Sequence, residues 1–469
     1  MAIEQKAFQW SRDEAAFWAI FVVALGWRLV LLGQHSFHMD EACIAGWSKR
    51  IVHGDLLLTG GMRNDKPPLQ MYLGAIGLFL FGESESAIRL MNASLSALEC
   101  GLLAWALVPV AGLAAALGAG LLLAASPLHR SYGATGIMDG PLSFFLLLSF
   151  VLAVRGRSSW SGLAWGLAFC AKQTALFLVP WPLLALLVTG LAWRTALVEW
   201  GLGAAMVCGP LMLWEVLFAH PRLGAFVGMA ANQPEVGLRL GGMTERVQHW
   251  MQISSADLVW APALTLLALA GPVVGLVLLW KAREGQARAW AWSLGFPLYG
   301  MAVFAALNMR FFDRYAVPYA WALCATPAVL ASAWAAGSRG RRVFGVLSLV
   351  LGLAGMFLAR TQALPTNQQG VAGSDYDGYR ALLLDVKQRE PLGGVIVSSQ
   401  GGLRHMGAWY LNPAWRLAET PEVPEVAGRP FYAAEREGSA PPAAWKWKLL
   451  QRYDAFGPAP AWILYKAEP

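Results

Sequence analysis

The chain has 469 residues, of which 57% are hydrophobic and only 14% are charged. Soluble globular proteins carry roughly a quarter of charged residues, so these numbers exclude a soluble protein, a disordered chain and a disulfide-rich secreted scaffold. They indicate a polytopic α-helical membrane protein. The net charge of +7 does not predict a nucleic-acid partner, because no basic patch with interleaved aromatic residues occurs.

Eleven apolar segments are candidate membrane spans, since a spanning helix needs about 20 apolar residues. They lie near residues 15–33, 88–107, 110–126, 140–154, 159–171, 175–190, 195–218, 258–280, 289–308, 315–336 and 342–360. Two of them, 159–171 and 175–190, are short enough to form a re-entrant pair. Because they would be lost together, the number of membrane crossings stays odd in either case. We expect about 11–13 transmembrane helices. A further apolar stretch, Leu69 to Phe81, has the length of an interfacial or re-entrant helix rather than a span.

The loop charges assign the two sides of the membrane. Four short loops after the N-terminal tail hold nine basic residues and one acid, Glu284. Because basic residues mark the cytoplasmic side, the N-terminus is expected to be cytoplasmic. A large first loop (34–68), the loop 126–140 and the C-terminal region then lie outside.

A composition step predicts two domains. From residue 362 onward the chain holds 11 basic and 11 acidic residues, an ordinary soluble density. We therefore expect a transmembrane domain over 1–361 and an extracytoplasmic domain over 362–469. Helical periodicity over 376–387 and strand patterns over 394–399 and 461–466 predict that this domain is mixed α/β.

Asp40 and Glu41 are adjacent acids at the outer end of the first span, just before an amphipathic segment (41–52) that is typical of a helix on the membrane surface. A carboxylate in such a partly desolvated place can serve as a general base. The alternative is a helix cap, with Asp40 capping the helix and Glu41 favouring its positive end.

Cations are the second class of candidates, because guanidinium and ammonium groups bind phosphate oxygens. Lys66 precedes Pro67 and Pro68 at the start of the short helix, where it either meets a phosphate or snorkels to lipid head groups. Arg310 and Arg314, followed by Tyr315, stand at the outer end of a span against the positive-inside trend. Their alternative partners are Asp313 and lipid phosphates.

Two further ionisable residues interrupt apolar runs on the outer side. Asp139 begins a span and falls on the same side as Asp40, as either a cap or a site residue. Lys172 lies in a tight turn between two apolar runs, where an ionisable group is a functional candidate by default. Glu99 lies within a span without an evident partner.

These motifs occur in a defined order: Asp40-Glu41, Lys66-Pro67-Pro68-Leu69, Phe81-Gly82, Arg89-Leu90, Asp139, Arg314-Tyr315 and Pro318. The ordered set resembles the GT-C superfamily of membrane glycosyltransferases. It is most similar to the dolichyl-phosphate-mannose–protein mannosyltransferases and to the bacterial aminoarabinose transferases that modify lipid A.

That resemblance implies inverting transfer of one sugar from a polyprenyl phosphate, at the periplasmic face of a bacterial inner membrane. It assigns Asp40 as the catalytic carboxylate, Glu41 as its orienting or acceptor-contacting neighbour, and Asp139 as a second acidic site residue. Residues that bind the donor phosphate would be Lys66, Lys172, Arg310, Arg314 and Tyr315. The acceptor is a glycolipid such as lipid A, a polysaccharide or a protein.

The sequence leaves cofactors and alternatives open. Carboxylates near a phosphate could hold a divalent metal, but no His or Cys spacing demands one, so none is predicted firmly. We expect a monomer. A lipid or sugar transporter or flippase would show internal repeats and ionisable residues at mid-membrane; here no repeat occurs and the charges collect at one rim. A non-catalytic envelope scaffold is the third alternative.

Overall fold

The structure is a computed structural model. It describes residues 11–59, 66–189, 192–219, 237–253, 271, 275, 285–309, 313–334, 338–359, 376–399, 404–411, 415–419, 430–443, 445–454 and 461–468. The predicted span 258–280 and the predicted domain boundary at 361/362 lie outside the described residues, apart from Gly271 and Gly275.

Helices make up the described part of the membrane domain. The first eleven are α1 (Arg12–Leu29), α2 (Met39–Val52), α3 (Leu69–Phe81), α4 (Glu85–Ala111), α5 (Leu113–Ala125), α6 (Pro127–Gly133), α7 (Asp139–Val154), α8 (Ser158–Ala171), α9 (Ala175–Leu178), α10 (Pro180–Val188) and α11 (Trp193–Trp214). They are followed by α12 (Met243–Ile253), α13 (Gly285–Ser293), α14 (Phe296–Ala306), a 3-10 helix (Asp313–Tyr319), α15 (Ala320–Trp334) and α16 (Ser338–Ala359).

The helix boundaries agree with most of the predicted segments. The short helix α3 coincides with the stretch expected to be interfacial. Within the described ranges, Glu85–Ala111 and Trp193–Leu217 are long and apolar enough to cross a membrane alone, and two bent helix pairs could each supply one more crossing. One of these pairs joins α5 to α6 at an angle of 64°.

Glycines allow helices α8 and α11 to pack closely against each other. A Cβ atom built on Gly162 of α8 would lie 1.9 Å from the Trp200 carbonyl oxygen of α11, and one on Gly203 would lie 1.9 Å from the Ser159 carbonyl oxygen. The two backbones therefore touch at this crossing, as small residues permit in membrane helices. Another glycine, Gly112, separates α4 from α5 with a φ of +83° that favours glycine.

The C-terminal domain is mixed α/β, as predicted. It contains α17 (Asp377–Arg389), α18 (Arg404–Tyr410) and a five-stranded sheet of order β2-β1-β3-β5-β4. The strands are β1 (Val395–Ser398), β2 (Arg416–Glu419), β3 (Phe431–Arg436), β4 (Trp447–Tyr453) and β5 (Trp462–Ala467). β1 pairs parallel with β2 and β3, whereas β5 pairs antiparallel with β3 and β4.

Helix α2 packs between the membrane domain and the C-terminal domain. Its residues Ala42 and Ala45 belong to an apolar cluster with Tyr379 and Leu382 of α17. Its other apolar face belongs to a cluster formed by Ile44, Trp47, Ile51, Leu58, Met71, Ala75 and Met138. Protein therefore covers both apolar faces of this helix, and its expected position at the membrane surface stays a prediction.

Candidate functional site

The first turn of α2 is capped by a residue other than Asp40. His38 occupies the N-cap, and its Nδ1 accepts a hydrogen bond of 3.1 Å from the Asp40 amide. The Glu41 carboxylate accepts from the His38 amide at 3.0 Å and completes the capping box. The cap interpretation of Asp40 is therefore wrong, and its carboxylate is available for other contacts.

Asp40 makes an ion pair with a distant arginine. Arg314 Nη1 donates to Asp40 Oδ2 at 2.8 Å, and both side chains keep some exposure, 16% for Arg314 and 24% for Asp40. Burial raises the pKa of Asp40, but the positive charges of Arg314 and Lys66 help to outweigh it and hold that pKa well below its ordinary value. Lys66 thus lies near enough to act on Asp40 through its charge.

A second acid–cation pair lies in the same region. Lys172 Nζ, in the turn after α8, is 2.5 Å from Asp139 Oδ1 at the first residue of α7. The same ammonium lies 4.2 Å from the centre of the Tyr315 ring, a cation–π distance. Tyr315 follows Arg314 in the chain, so the two pairs are neighbours. Asp139 Oδ2 is buried and has no hydrogen-bond partner among the described residues.

Two buried contacts hold the 3-10 helix that carries Arg314 and Tyr315. Tyr132 Oη, on α6, donates to Asp313 Oδ1 at 2.6 Å, and the same oxygen accepts from the Arg314 amide at 2.6 Å. Ser143 Oγ, on α7, lies 3.3 Å from the Val317 carbonyl oxygen. The segment is therefore fastened near its beginning and its middle.

Glu41 points away from this cluster. It is fully buried and forms two bonds of 2.9 Å with Arg89 of α4, from Nε and Nη2, and it also accepts from the Gly136 amide at 2.7 Å. Arg89 donates further to the carbonyl oxygens of Leu32, His35 and Ser36. The oxygens of Glu41 are therefore engaged inside the protein, with Arg89 and the Gly136 amide.

The structure thus brings together Asp40, Lys66, Asp139, Lys172, Arg314 and Tyr315, all at or beside helix ends. Arg310 lies outside the described residues. In the described part of the chain, no group of three or more His, Cys, Asp and Glu side chains is placed to hold a metal ion. Since both site acids already face cations, the residues present do not fit a metal, and we derive no step through one.

Both the sequence and the fold are similar to those of known proteins. Residues 65–214 match the family model described as dolichyl-phosphate-mannose-protein mannosyltransferase. The structure is similar to the crystal structure of ArnT from Cupriavidus metallidurans bound to undecaprenyl phosphate, with a TM-score of 0.66 and 17% identity over 96% of this chain and 98% of that one. The apo form of that ArnT gives a TM-score of 0.60 and 16% identity over the same shares, 96% and 98%.

A more distant similarity is to the Archaeoglobus fulgidus oligosaccharyltransferase tethered to an acceptor peptide. It has a TM-score of 0.50 and 14% identity over 87% of this chain and 63% of that one. No curated protein matches the chain in sequence. The chain has the GT-C fold. The resemblance predicted from the ordered motifs is therefore confirmed.

Sequence reasoning missed the buried groups that support the site in this GT-C fold. Asn92 of α4 donates to the carbonyl oxygens of Thr135 and Ile137, both at 2.7 Å, and so fixes the loop before Asp139. Glu99, which had no partner in the sequence, lies 3.0 Å from His129 Nε2. Glu99 could have been recognised in the sequence as a single acid within an apolar run. Nothing in the sequence around Asn92 or Tyr132 indicates their contacts.

Proposed function

We propose that this chain moves a single sugar from a polyprenyl-phosphate carrier to a hydroxyl or phosphate group of an extracytoplasmic acceptor, with inversion at the anomeric carbon. The observation that carries the proposal is the adjacency of two acid–cation pairs, Asp40–Arg314 and Asp139–Lys172, joined through Tyr315. Acids suit an incoming hydroxyl and cations suit a leaving phosphate. The ArnT of similar fold is bound to undecaprenyl phosphate, which supports the same class of donor here.

The reaction needs a base on one face of the sugar and a stabilised leaving group on the other. Asp40 would accept the acceptor's proton as the acceptor oxygen bonds to the anomeric carbon. The bond from that carbon to the phosphate oxygen would break, and the polyprenyl phosphate would leave with the electron pair. Lys172 and Arg314 would stabilise the negative charge that grows on it.

The Asp40–Arg314 pair suggests how the base becomes active. While Arg314 is paired with Asp40, it keeps the carboxylate a weak base, with a pKa well below the ordinary value. A bound donor phosphate would compete for the same guanidinium. Loss of the Arg314 contact would then raise the pKa of Asp40 and make it a stronger proton acceptor once the donor is in place.

Asp139 suits sugar recognition beside the phosphate. One of its oxygens is engaged with Lys172, while Oδ2 is buried without a partner among the described residues. An unsatisfied buried carboxylate oxygen costs about 1–3 kcal/mol or more. A donor-sugar hydroxyl would relieve that cost and orient the ring. We therefore assign Asp139 to substrate contact and Asp40 to proton transfer.

The location of the site follows from the same proposal. The loop charges support a cytoplasmic N-terminus and a periplasmic C-terminal domain, so transfer would occur at the periplasmic face of the inner membrane. The monomeric state, the sugar and the acceptor also stay predictions. Lys66 and Arg310 keep their proposed roles as additional phosphate ligands.

The test is to purify the protein in detergent and identify copurifying lipids by mass spectrometry, followed by incubation with polyprenyl-phosphoryl sugars and candidate acceptors. The proposal expects a polyprenyl phosphate or its sugar-linked form in the lipid extract, and transfer that requires the sugar-linked form. A transporter or flippase would move the lipid across vesicles and leave the sugar–phosphate bond intact. Movement without transfer would contradict the proposal.

A further inference from the structure

The C-terminal domain contacts the chain immediately before the helix that carries Asp40. Residues 35–37 connect α1 to the N-cap of α2, and three of their polar atoms bond to this domain. Asp377 Oδ1, at the start of α17, accepts from the Ser36 amide at 2.6 Å, and its Oδ2 lies 3.0 Å from His35 Nδ1. Tyr410 Oη, at the end of α18, accepts from the Phe37 amide at 3.3 Å.

The same tyrosine also ties this connection to the membrane domain. Tyr410 Oη donates to Glu85 Oε1 at 2.5 Å, at the first residue of α4, and Arg380 of α17 lies 3.4 Å from the same oxygen. One hydroxyl therefore accepts from the segment before α2 and donates to the beginning of α4. Hydrogen bonds to charged groups are roughly twice as strong as neutral ones, so this is a firm junction.

Apolar packing reinforces these polar contacts. Phe37 is fully buried, and its ring lies 5.2 Å from that of Trp409 in an edge-to-face arrangement. Phe37 and Ala42 share one apolar cluster with Tyr379 of α17. The first turn of α2 is thereby part of the core of the C-terminal domain as well as part of the membrane domain.

Asp40 lies only three residues beyond Phe37 and two beyond the N-cap His38. The backbone of its partner Arg314 is held by Asp313, which in turn accepts from Tyr132. Displacement of a catalytic group by about 1 Å can cost a hundredfold in rate. Anything that fixes residues 35–37 therefore fixes the distance between Asp40 and the reacting groups.

We propose that the C-terminal domain positions the catalytic carboxylate: Asp377 and Tyr410 hold residues 35–37 and thereby the first turn of α2 and Asp40. This inference rests on the proposed function for its catalytic half, whereas its structural half is independent of any activity. Asp377 and Tyr410 are positioning residues that act through the backbone of the first external segment and do not touch substrate.

The test uses the full-length protein with Asp377→Ala and Tyr410→Phe. The matched controls are Asp385→Ala, on the same helix but paired with Arg389 inside the domain, and Tyr432→Phe, which loses an equivalent hydroxyl contact to Glu390. Hydrogen–deuterium exchange of a peptide covering residues 34–45 should accelerate about tenfold or more in the two test variants. The controls should exchange like the unchanged protein.

Transfer kinetics then test the catalytic half. We expect kcat to fall about tenfold or more in the test variants, with KM for the donor within about twofold, because the phosphate ligands are untouched. Asp377→Asn, whose amide oxygen can still accept from the Ser36 amide, should keep most of the rate. Unchanged exchange would overturn the proposal, as would faster exchange with an unchanged kcat. Absence of transfer by the unchanged chain would instead count against the proposed function, and exchange would still decide the structural half.

Discussion

Arg314 Nη1 lies 2.8 Å from Asp40 Oδ2 although 274 positions separate the two residues in the chain. The pair joins α2 to the 3-10 helix after α14, and the Asp139–Lys172 pair lies beside it. Two acids and two cations thus converge from four separate segments.

Lys172 should make the rate of transfer decline at alkaline pH. The turn that holds Lys172 lies outside α8 and α9, and burial lowers the pKa of Lys172 to about 8. The ammonium charge is present below that pKa and is lost as pH rises through it. We therefore expect kcat/KM for the donor to decline above a pH of about 8, because the phosphate loses a cation.

Substitutions of Lys172 by methionine and by arginine distinguish the effect of its charge on transfer from the effect of its side-chain volume. Lys172→Met should lower kcat/KM for the donor about tenfold to a hundredfold, and Lys172→Arg should move the alkaline limb upward because arginine stays charged. Lys49→Met is the matched control, since Lys49 of α2 forms a partly exposed ion pair with Glu83, outside the acid–cation cluster. A limb that persists near pH 8 in Lys172→Arg would show that another group titrates.

Tyr132 should act through Asp313 on the placement of Arg314. In Tyr132→Phe the hydroxyl that holds Asp313 is absent, so we expect kcat/KM to fall about tenfold while the protein stays folded. Tyr299→Phe is the control, because its hydroxyl bonds to the Phe177 carbonyl oxygen, outside the acid–cation cluster. Equal activities of the two variants, measured with the same donor, would contradict the claim that Tyr132 positions Arg314 through Asp313.

Arg89 and Glu41 should contribute mainly to stability. Both are buried and bonded to each other, and removal of one partner leaves an uncompensated charge that costs about 3–5 kcal/mol. We expect Arg89→Ala to lower the thermal unfolding midpoint strongly. Arg50→Ala, which breaks a half-buried pair with Asp55, should cost only about 1 kcal/mol or less. Similar midpoints for the two variants would contradict the structural role of Arg89.

Much of the site could be predicted from the sequence because its charges stand where topology does not need them. Asp40 follows the first predicted span, Asp139 and Lys172 interrupt apolar runs at ends predicted to lie outside, and Arg314 opposes the positive-inside trend of that predicted topology. Their pairing could not be predicted, since no local spacing rule connects positions 40 and 314. It depends on how α2, α7 and the 3-10 helix pack, and that packing is fixed by uncharged or buried contacts such as Asn92 to the loop before Asp139.

The fold was predictable to a similar degree. Apolar length located α3 and most other helices, because burial in lipid imposes a strong pattern. The strands β2, β3 and β4 were not predicted, because each contains two charged residues that break its apolar pattern. The predicted strands β1 and β5 contain none and one. The packing of protein on both apolar faces of α2 could not be predicted, because an amphipathic pattern indicates what is apolar but not whether lipid or protein covers it.

The most direct test of the proposed function is a comparison of Asp40→Asn with Asp55→Asn; Asp55 is a nearby acid in the chain, just after α2, that pairs with Arg50. Transfer from a polyprenyl-phosphoryl sugar and binding of the polyprenyl phosphate are measured on each purified variant. We expect Asp40→Asn to lose transfer by about a hundredfold to ten-thousandfold. It should bind the phosphate at least as tightly as the unchanged protein, because Arg314 no longer pairs with a carboxylate. Asp55→Asn should retain both properties. Full transfer activity in Asp40→Asn would contradict the assignment of Asp40 as the base.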